Sequence, residues 1–223
     1  MPEEWSAAVD DALVGALLRR AEESRVGADR VVLLVDGRSG SGKTTLARRL
    51  VAAWPGALGP VQLVHLDDVY PGWHGLAAAS RVVEESLLVG REPGWTTWDW
   101  DADVPGERRT LDPAVSMVVE GAGSLTRASS GLATLSVWLE LDAGERRRRA
   151  LARDGAAYEP WWEVWAGQEE AHLAAERPRS LADVVVRVPV TPVPVPVPVP
   201  VPTPSPTPSP TSSPTSSPPS PSR

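Results

Sequence analysis

A glycine-rich segment near the start of the chain constrains the fold more than any other part of the sequence. The segment follows a β-branched apolar run and precedes a helical pattern, and it consists of Gly37, Arg38, Ser39, Gly40, Ser41, Gly42, Lys43 and Thr44. It fits the pattern G-x-x-x-x-G-K-[ST], in which glycines turn backbone N–H groups toward phosphates and the following helix adds the positive end of its dipole. A glycine-rich turn without a ligand is the alternative. The strand before and the helix after favour a phosphate-binding loop.

Side chains at the end of this loop have specific expected roles. Lys43 is expected to reach the β- and γ-phosphates of a nucleotide and Thr44 to hold Mg²⁺, while Thr45 extends the phosphate-binding set into the helix. Lys43 is also the only lysine among the 22 Lys and Arg residues of the chain. A sequence that uses arginine at every other such position keeps a compact ammonium group here, which supports a specific role for Lys43.

The composition excludes several classes of protein. The chain has 223 residues, enough for one domain with a sizeable core, and its lack of cysteine rules out both a disulfide framework and a thiolate metal site. The net charge of −7 argues against broad binding to nucleic acid or to anionic membranes. The acidic start, Met1 to Glu4, lacks the features of a signal peptide. We therefore expect a cytoplasmic protein with a small anionic ligand, and the oligomeric state stays open.

The sequence divides into three parts. In residues 1–28, apolar side chains recur at helical spacing from Trp5 to about Arg25, which predicts an amphipathic helix. Residues 29–188 carry the phosphate-binding loop and alternating strand and helix patterns. Residues 189–223 are Val-Pro and then Thr/Ser-Pro repeats, which cannot form a hydrogen-bonded ladder or a membrane helix. We expect this tail to be extended and disordered.

Apolar runs between helical patterns predict an α/β fold with five strands, at Val31–Asp36, Val61–Leu66, Ser116–Val119, Thr134–Leu141 and Asp183–Val188. Ligands of open α/β sheets lie beyond the carboxyl ends of the strands, and the acids after the second and third of these runs are candidate site residues. Asp67 and Asp68 follow the second run; they either act on a substrate or cap a turn. Glu120 follows the third run, and it is either a magnesium-linked acid or a carboxylate that faces solvent.

A tryptophan-rich segment precedes the third strand. Alternation in Trp95–Asp101 and Arg108–Leu111, on either side of Pro105-Gly106, predicts a small hairpin or flap with its turn at Pro-Gly. Trp98 could stack on an aromatic substrate, with Asp99 beside it. Because the chain has no phenylalanine, packing of tryptophan in the core is the alternative.

An arginine-rich helix follows the fourth strand. Arg146, Arg149 and Arg153 have i, i+3, i+7 spacing and share one helical face. A solvated surface or a nucleic-acid contact would explain such a charge run. Its position after a strand exit favours a lid helix whose guanidinium groups cover transferring phosphates.

Taken in order, these segments resemble the uridine kinase and phosphoribulokinase family of P-loop kinases. The resemblance covers about Arg30 to Val188 and rests on the phosphate loop, Leu66-Asp67-Asp68-Val69-Tyr70, Trp98-Asp99-Trp100, Val118-Val119-Glu120-Gly121, the arginine run and Ala182-Asp183-Val184-Val185-Val186. It implies a parallel five-stranded sheet, Asp67 as the acid that deprotonates the accepting hydroxyl, Glu120 as the magnesium-linked acid and an arginine lid. It also places Asp68, Tyr70, Trp98 and Asp99 near the acceptor.

Two segments depart from the pattern of uridine kinases. Those enzymes hold ribose with an Asp in a Phe-Asp-His-Pro stretch, whereas this chain has Pro71-Gly72-Trp73-His74. They also carry His and Arg after the Tyr-Asp-Phe motif, where this chain continues after Trp100 with Asp101-Ala102-Asp103. The departures affect the identity of the acceptor more than phosphoryl transfer.

The sequence therefore predicts an ATP-dependent kinase that uses Mg²⁺ and phosphorylates a hydroxyl group of a small molecule, with a nucleoside as one candidate. A nucleotide-dependent switch or regulatory module is the alternative from another class. A polynucleotide or protein kinase is disfavoured by the acidic charge and the short acceptor region.

Overall fold

The computed structural model describes residues 1–25 and 27–190. Its strands are β1 Glu3–Ser6, β2 Val32–Gly37, β3 Val61–His65, β4 Gly94–Asp99, β5 Val104–Thr110, β6 Ser116–Glu120, β7 Leu135–Glu140 and β8 Val184–Arg187. Its helices are α1 Asp11–Ser24, α2 Lys43–Ala52, α3 Leu76–Val82, α4 Arg127–Ser130, α5 Ala143–Tyr158, α6 Trp162–Glu176 and α7 Pro178–Leu181. A π-helical segment, Val83–Leu88, continues α3. The predicted proline-rich tail lies outside the described residues, except for its first two positions.

Six parallel strands form the main sheet in the order β1-β8-β7-β2-β6-β3. All residues of the central strand β2 are buried, as are those of β6, which explains why both read as continuous apolar runs rather than as alternating patterns. The five predicted strands are confirmed as β2, β3, β6, β7 and β8. Since they are parallel, their carboxyl ends, and the residues that follow them, meet at one edge of the sheet.

The sixth strand, β1, corrects the prediction of a helix from Trp5. Glu3 to Ser6 pair in parallel with β8, and Trp5 is opposite Val186. Helix α1 begins only at Asp11, because the Asp10 side chain accepts a 3.0 Å hydrogen bond from the Leu13 N–H and caps the first turn. The apolar spacing therefore predicted the helix correctly from Asp11 onward. It could not predict β1, because that strand forms only by pairing with β8, which is distant in the sequence.

Helices cover both faces of the sheet. Side chains of β2 alternate between the faces, with Leu33 and Val35 packed toward α1 and α2 and Leu34 packed toward α3 and α6. Each fully buried leucine contributes roughly 1.5–3 kcal/mol relative to an exposed one, so this central strand is firmly fixed. Within the described residues, no helix is both long enough and apolar enough to cross a membrane.

The predicted hairpin is present as the antiparallel pair β4 and β5, but its turn is not at Pro105-Gly106. The turn lies between Asp99 and Val104, and Pro105-Gly106 is inside β5. The Asp99 carboxylate accepts 3.0 Å hydrogen bonds from the N–H groups of Asp101 and Ala102, a common way for aspartate to form a turn. Local hydrogen bonding by Asp99 therefore places the turn.

Candidate active site

The phosphate-binding loop connects β2 to α2 at the carboxyl edge of the sheet. Gly40 and Gly42 have φ of 80° and 101°, which side-chain-bearing residues rarely adopt. A Cβ on Gly40 would lie 2.2 Å from the Arg146 carbonyl oxygen, so the loop packs closely on the first turn of α5. The shape of the loop thus depends on glycine both for its backbone angles and for space.

Lys43 lies at the base of the loop and is only 9% exposed. Its Nζ donates a 3.2 Å hydrogen bond to the Arg38 carbonyl oxygen, which spans the loop. Lys43, Thr44 and Thr45 form the first turn of α2, and the N–H groups of a first turn have no acceptor within their own helix. An ammonium group and several backbone donors therefore converge at one helix terminus, an arrangement that suits a phosphate chain.

Thr44 and Glu120 are brought together from two different strand exits. The Thr44 hydroxyl donates to Glu120 Oε1 at 2.9 Å, and His65 Nδ1 lies 2.7 Å from the same oxygen. The hydrogen bond with Glu120 raises the pKa of His65, although partial burial opposes the effect. A hydroxyl and a carboxylate are oxygen donors of the kind that Mg²⁺ prefers, with phosphates and water completing its shell, so the two residues fit the predicted metal. Sequence reasoning missed His65.

Asp67 lies in a short 3-10 turn, Leu66–Asp68, that directly follows β3. Its side chain lines the same cavity as Lys43 and Glu120. Loss of surrounding water in this concave setting raises the pKa of Asp67, and the charge of Glu120 raises it further, while Lys43 and Arg153 lower it. Asp67 and Asp68 are both exposed by surface area, and only Asp67 lines the cavity.

The cavity beside the loop has a volume of about 680 Å³ and an aromatic wall, formed by Tyr70, Trp73, Trp100, Tyr158 and Trp165. The Trp73 ring stacks on Tyr158 at 5.5 Å between centroids and meets Trp100 edge-on at 4.9 Å. Tyr70, a predicted substrate residue, packs edge-on against Trp165 and donates to the Ala122 carbonyl oxygen at 2.9 Å. The sequence did not indicate Trp73, Tyr158 or Trp165; packing of α5 and α6 brings Tyr158 and Trp165 here, beside Trp73 from the segment before α3.

Trp98 and Asp99, which we predicted as substrate residues, lie elsewhere. Trp98 lines a separate cavity of about 300 Å³ between the hairpin and α3. Asp99 forms the hairpin turn described above. Trp100 takes their place, since it lines the 680 Å³ cavity and its indole Nε1–H donates to the Asp67 carbonyl oxygen at 2.9 Å. The tryptophan-rich segment does contribute to the site, but through the residue after the predicted pair.

The three predicted lid arginines do not act as one cationic face. Arg146 is buried and donates from Nη1 to the Ser39 carbonyl oxygen at 3.2 Å. Arg149 binds Glu145 at 2.7 Å, and hydrogen bonds from Arg148 and Arg149 lower the pKa of Glu145 to about 2. Arg153 alone lines the 680 Å³ cavity. The three arginines share one helical face by their spacing, but each has different contacts, so they do not form one cationic surface.

Arg153 pairs with Asp154, and both lie just before a bend in α5. Arg153 Nε and Nη2 donate to the two Asp154 carboxylate oxygens at 2.8 and 2.7 Å. The bend is at Gly155, whose φ of 55° and ψ of −137° are not helical. The helix therefore presents one guanidinium group to the cavity at the point where its direction changes.

Asp36, the last side chain of β2, is a buried residue that sequence reasoning missed. It accepts hydrogen bonds from the backbone N–H groups of Gly37 at 2.6 Å, Leu125 at 2.8 Å and Gly123 at 3.2 Å. Burial raises the pKa of Asp36, although His172, the N–H groups of Leu125 and Gly37, and Lys43 oppose the effect. Asp36 ties the start of the phosphate loop to the segment after β6. An acid inside an otherwise apolar run was the available signal.

A second cavity, of about 590 Å³, lies on the other side of the loop. It is lined by the carboxyl end of β7 and the start of α5, by Arg38 and Arg146, and by Arg187 and Val188 at the end of β8. The loop therefore separates two spaces, one with an aromatic wall and Asp67, the other with several guanidinium groups.

The fold and the loop define an α/β protein of the P-loop nucleotide-binding class. No protein-family model matches this chain. Among solved structures, the chain resembles a possible uridine kinase from Bacillus stearothermophilus, with 21% identity, a TM-score of 0.50 and coverage of 77% of this chain and 99% of that one. A candidate fructose transport system kinase from Silicibacter sp. TM1040 has 17% identity, a TM-score of 0.49 and coverage of 77% and 98%. The likeness to the Bacillus stearothermophilus structure shows a shared fold.

One curated protein that resembles this chain in sequence is named as an ATP-binding protein. The cytochrome c biogenesis ATP-binding export protein CcmA of Chelativorans sp. (strain BNC1) is 30% identical over 154 residues, which make up 64% of this chain. The chain spans 66% of the length of that protein, just under two thirds.

Proposed function

We propose that the protein is a small-molecule kinase that transfers the γ-phosphoryl group of ATP to a hydroxyl group. One observation carries the proposal: Asp67, Lys43 and the Thr44–Glu120 pair all line a single cavity that aromatic side chains also line. The aromatic side chains offer a binding surface for an organic acceptor beside the phosphate loop. The kinase fold supports the same conclusion.

The residues have distinct roles in the proposed reaction. The backbone N–H groups of residues 42–45 and the Lys43 ammonium group bind the phosphates. Thr44 and Glu120 would hold Mg²⁺, which would supply positive charge to the phosphate chain when bound. Arg153 adds a cation at the cavity wall. These groups stabilise charge on the phosphoryl oxygens.

Asp67 acts as the general base. Its carboxylate takes the proton of the acceptor hydroxyl while the new O–P bond forms, and the bond between the γ-phosphorus and the β–γ bridging oxygen breaks with its electron pair leaving on ADP. The raised pKa of Asp67 strengthens it as a base relative to an ordinary aspartate. Transfer therefore needs the ionised form of Asp67.

The two cavities divide the substrates. The acceptor fits the aromatic cavity. The flat rings that line this cavity favour an alcohol that carries a planar ring, such as a nucleoside. The nucleoside part of ATP fits the 590 Å³ cavity, which adjoins the loop through Arg38 and Arg146. The magnesium requirement and a cytoplasmic location are part of the proposal, the latter supported by the absence of cysteine.

The decisive experiment is an acceptor screen. The protein is incubated with Mg²⁺ and ATP labelled at the γ-phosphate, with nucleosides, sugars and vitamins added one at a time, and labelled products are separated from inorganic phosphate. We expect label in one ring-bearing alcohol. ATP binding with no transfer to any acceptor class would favour the alternative, a nucleotide-dependent regulatory protein, which the similarity to an ATP-binding export protein keeps in view.

A further inference from the structure

We infer that Glu169, on helix α6, is a positioning residue that fixes the phosphate-binding loop from outside the nucleotide site. The inference rests on the proposed kinase function and adds a part that neither the motif nor the cavity contains. Glu169 does not line the 680 Å³ cavity, and it is 131 residues from its Arg38 partner in the sequence. Its contacts are nevertheless to the loop itself.

The Glu169 carboxylate is buried, with 3% exposure, and both of its oxygens are engaged. Oε1 accepts a 2.5 Å hydrogen bond from the Ser39 backbone N–H, and Oε2 accepts one from Arg38 Nε at 2.8 Å. Arg146 Nη1 lies 4.0 Å from Oε2. A carboxylate buried to this degree is stable as an anion only with such partners. Glu169 therefore binds two consecutive loop residues and has a second guanidinium group nearby.

Ser39 is held by three side chains from two helices, α5 and α6. Its N–H donates to Glu169, its carbonyl oxygen accepts from Arg146 Nη1 at 3.2 Å, and its hydroxyl accepts from the Tyr158 hydroxyl at 3.0 Å. The next residue, Gly40, has no space to move toward α5, as its close approach to the Arg146 carbonyl oxygen demonstrates. The path of the loop through Ser39 and Gly40 is thus set by side chains of α5 and α6.

The N–H of Ser39 is consequently unavailable for phosphate. The Ser41 N–H is also engaged, since it donates to the Arg38 carbonyl oxygen at 3.1 Å, so the donors that lead into α2 begin at Gly42. Without the negative charge of Glu169, Arg38 and Arg146 would lose a shared counter-ion, and the Ser39 peptide would be free to rotate. Displacement of about 1 Å in a positioning element costs on the order of 10²-fold in rate. Glu169 matters because it holds the first half of the loop so that the second half faces the phosphates.

The neighbouring residue offers a matched control. Glu170 also pairs with Arg38, through Nη1, but its side chain is 64% exposed. Exposed ion pairs contribute little. Glu169→Gln and Glu170→Gln therefore make the same chemical change on adjacent residues of one helix, at a buried loop contact and at a solvated one.

The test measures nucleotide binding and loop order before turnover. By calorimetry with Mg²⁺ and ATP, we expect Glu169→Gln to weaken binding about 10- to 100-fold and Glu170→Gln to change it less than about 2-fold. Amide hydrogen exchange should become faster at Ser39 and Gly40 in Glu169→Gln, while amides of the central strand β2 stay protected. Once an acceptor is known, the KM for ATP should rise while the KM for the acceptor stays near wild type, because Glu169 does not face the acceptor cavity.

The outcomes separate this inference from the proposed function. If wild-type protein binds no ATP, the proposed function fails. If wild type binds ATP and Glu169→Gln binds it equally well with unchanged exchange at Ser39, the inference is wrong and the function stands. Should Glu169→Gln not fold, Glu169→Asp keeps the charge on a shorter side chain and should give an intermediate loss of ATP affinity; wild-type affinity in the folded Asp variant together with unchanged exchange at Ser39 would also overturn the inference.

Discussion

The Thr44 hydroxyl donates a 2.9 Å hydrogen bond to Glu120 Oε1 and so joins the end of the phosphate loop to the carboxyl end of β6. Val35, near the end of β2, is opposite Glu120 in the register of the sheet, which explains why the two strand exits meet. Glu120 is buried, accepts a hydrogen bond from the Thr44 hydroxyl and contacts His65, so it is not a carboxylate that faces solvent. The first prediction follows from this pair.

Glu120→Gln should reduce phosphoryl transfer by at least about 10²-fold, because a carboxylate that would hold Mg²⁺ is replaced by a neutral amide. The signature is a higher Mg²⁺ concentration for half-maximal rate, measured by metal titration at saturating ATP. Glu107→Gln, an exposed change on β5, is the control and should leave the titration unchanged. An unaltered Mg²⁺ dependence in Glu120→Gln would remove Glu120 from the metal site.

Lys43→Ala should remove most nucleotide affinity or transfer, with a loss of about 10²-fold or more, since the positive charge beside the phosphates disappears. Calorimetry with ATP and turnover with the identified acceptor measure the two effects. Arg49→Ala, on the same helix and paired with exposed Asp11, controls for loss of a cation from α2. ATP binding and turnover at wild-type levels in Lys43→Ala would contradict the phosphate-loop interpretation.

Replacing two different glycines with alanine should change the stability of the protein in opposite directions. Gly40→Ala places a Cβ 2.2 Å from the Arg146 carbonyl oxygen at a φ of 80°, so it should lower the melting temperature and weaken ATP binding together. Gly167→Ala in α6 meets nothing within 4 Å and should stabilise the protein by roughly 0.5–1 kcal/mol, because alanine favours the helix. Thermal unfolding of both variants is the measurement, and equal effects would mean that the loop does not pack on α5 as described.

The parts of the structure that the sequence predicted are those fixed by local pattern. The buried run of β2, the glycines of the loop and the acids after two strands are all readable within a few residues, and the parallel topology then gathers them at one edge. Asp67 lies at the cavity because it follows a strand of this parallel sheet. The start of α1 and the turn of the hairpin were misplaced because Asp10 and Asp99 bind nearby backbone groups in ways that apolar spacing does not reveal.

The parts that the sequence did not predict depend on distant partners. Trp73 and Tyr158 stack only because α5 returns to the edge of the sheet, and Ser39 meets Glu169 across 130 positions of the chain. The arginine face was correct in spacing, yet Glu145 engages Arg149 and the loop engages Arg146. The spacing of the arginines does not reveal which of them will bind a carboxylate or a loop carbonyl group in the folded protein.

Asp67→Asn separates a kinase from a mere nucleotide binder. A general base contacts the acceptor hydroxyl rather than the nucleotide, so ATP affinity should stay near wild type while single-turnover transfer falls by about 10²- to 10⁴-fold. Asp68→Asn is the matched control, because Asp68 does not line the cavity and should matter little. If Asp68→Asn is the inactive variant, the assignment is off by one residue; if neither loses activity, the base is wrong.

The raised pKa of Asp67 predicts the pH dependence of both transfer and stability. Since transfer needs the carboxylate, the rate should fall on the acid side with a midpoint above the ordinary aspartate value of 3.8, and Asp67→Asn should lack that limb. For stability the sign is opposite: a folded-state pKa above the unfolded one means that ionisation of Asp67 opposes folding as pH rises above 3.8. Asp67→Asn should therefore melt at the same or a higher temperature than wild type at neutral pH, and any advantage should vanish below pH 3.8. Lower stability of the Asn variant at neutral pH, with transfer retained, would instead assign Asp67 to capping its turn.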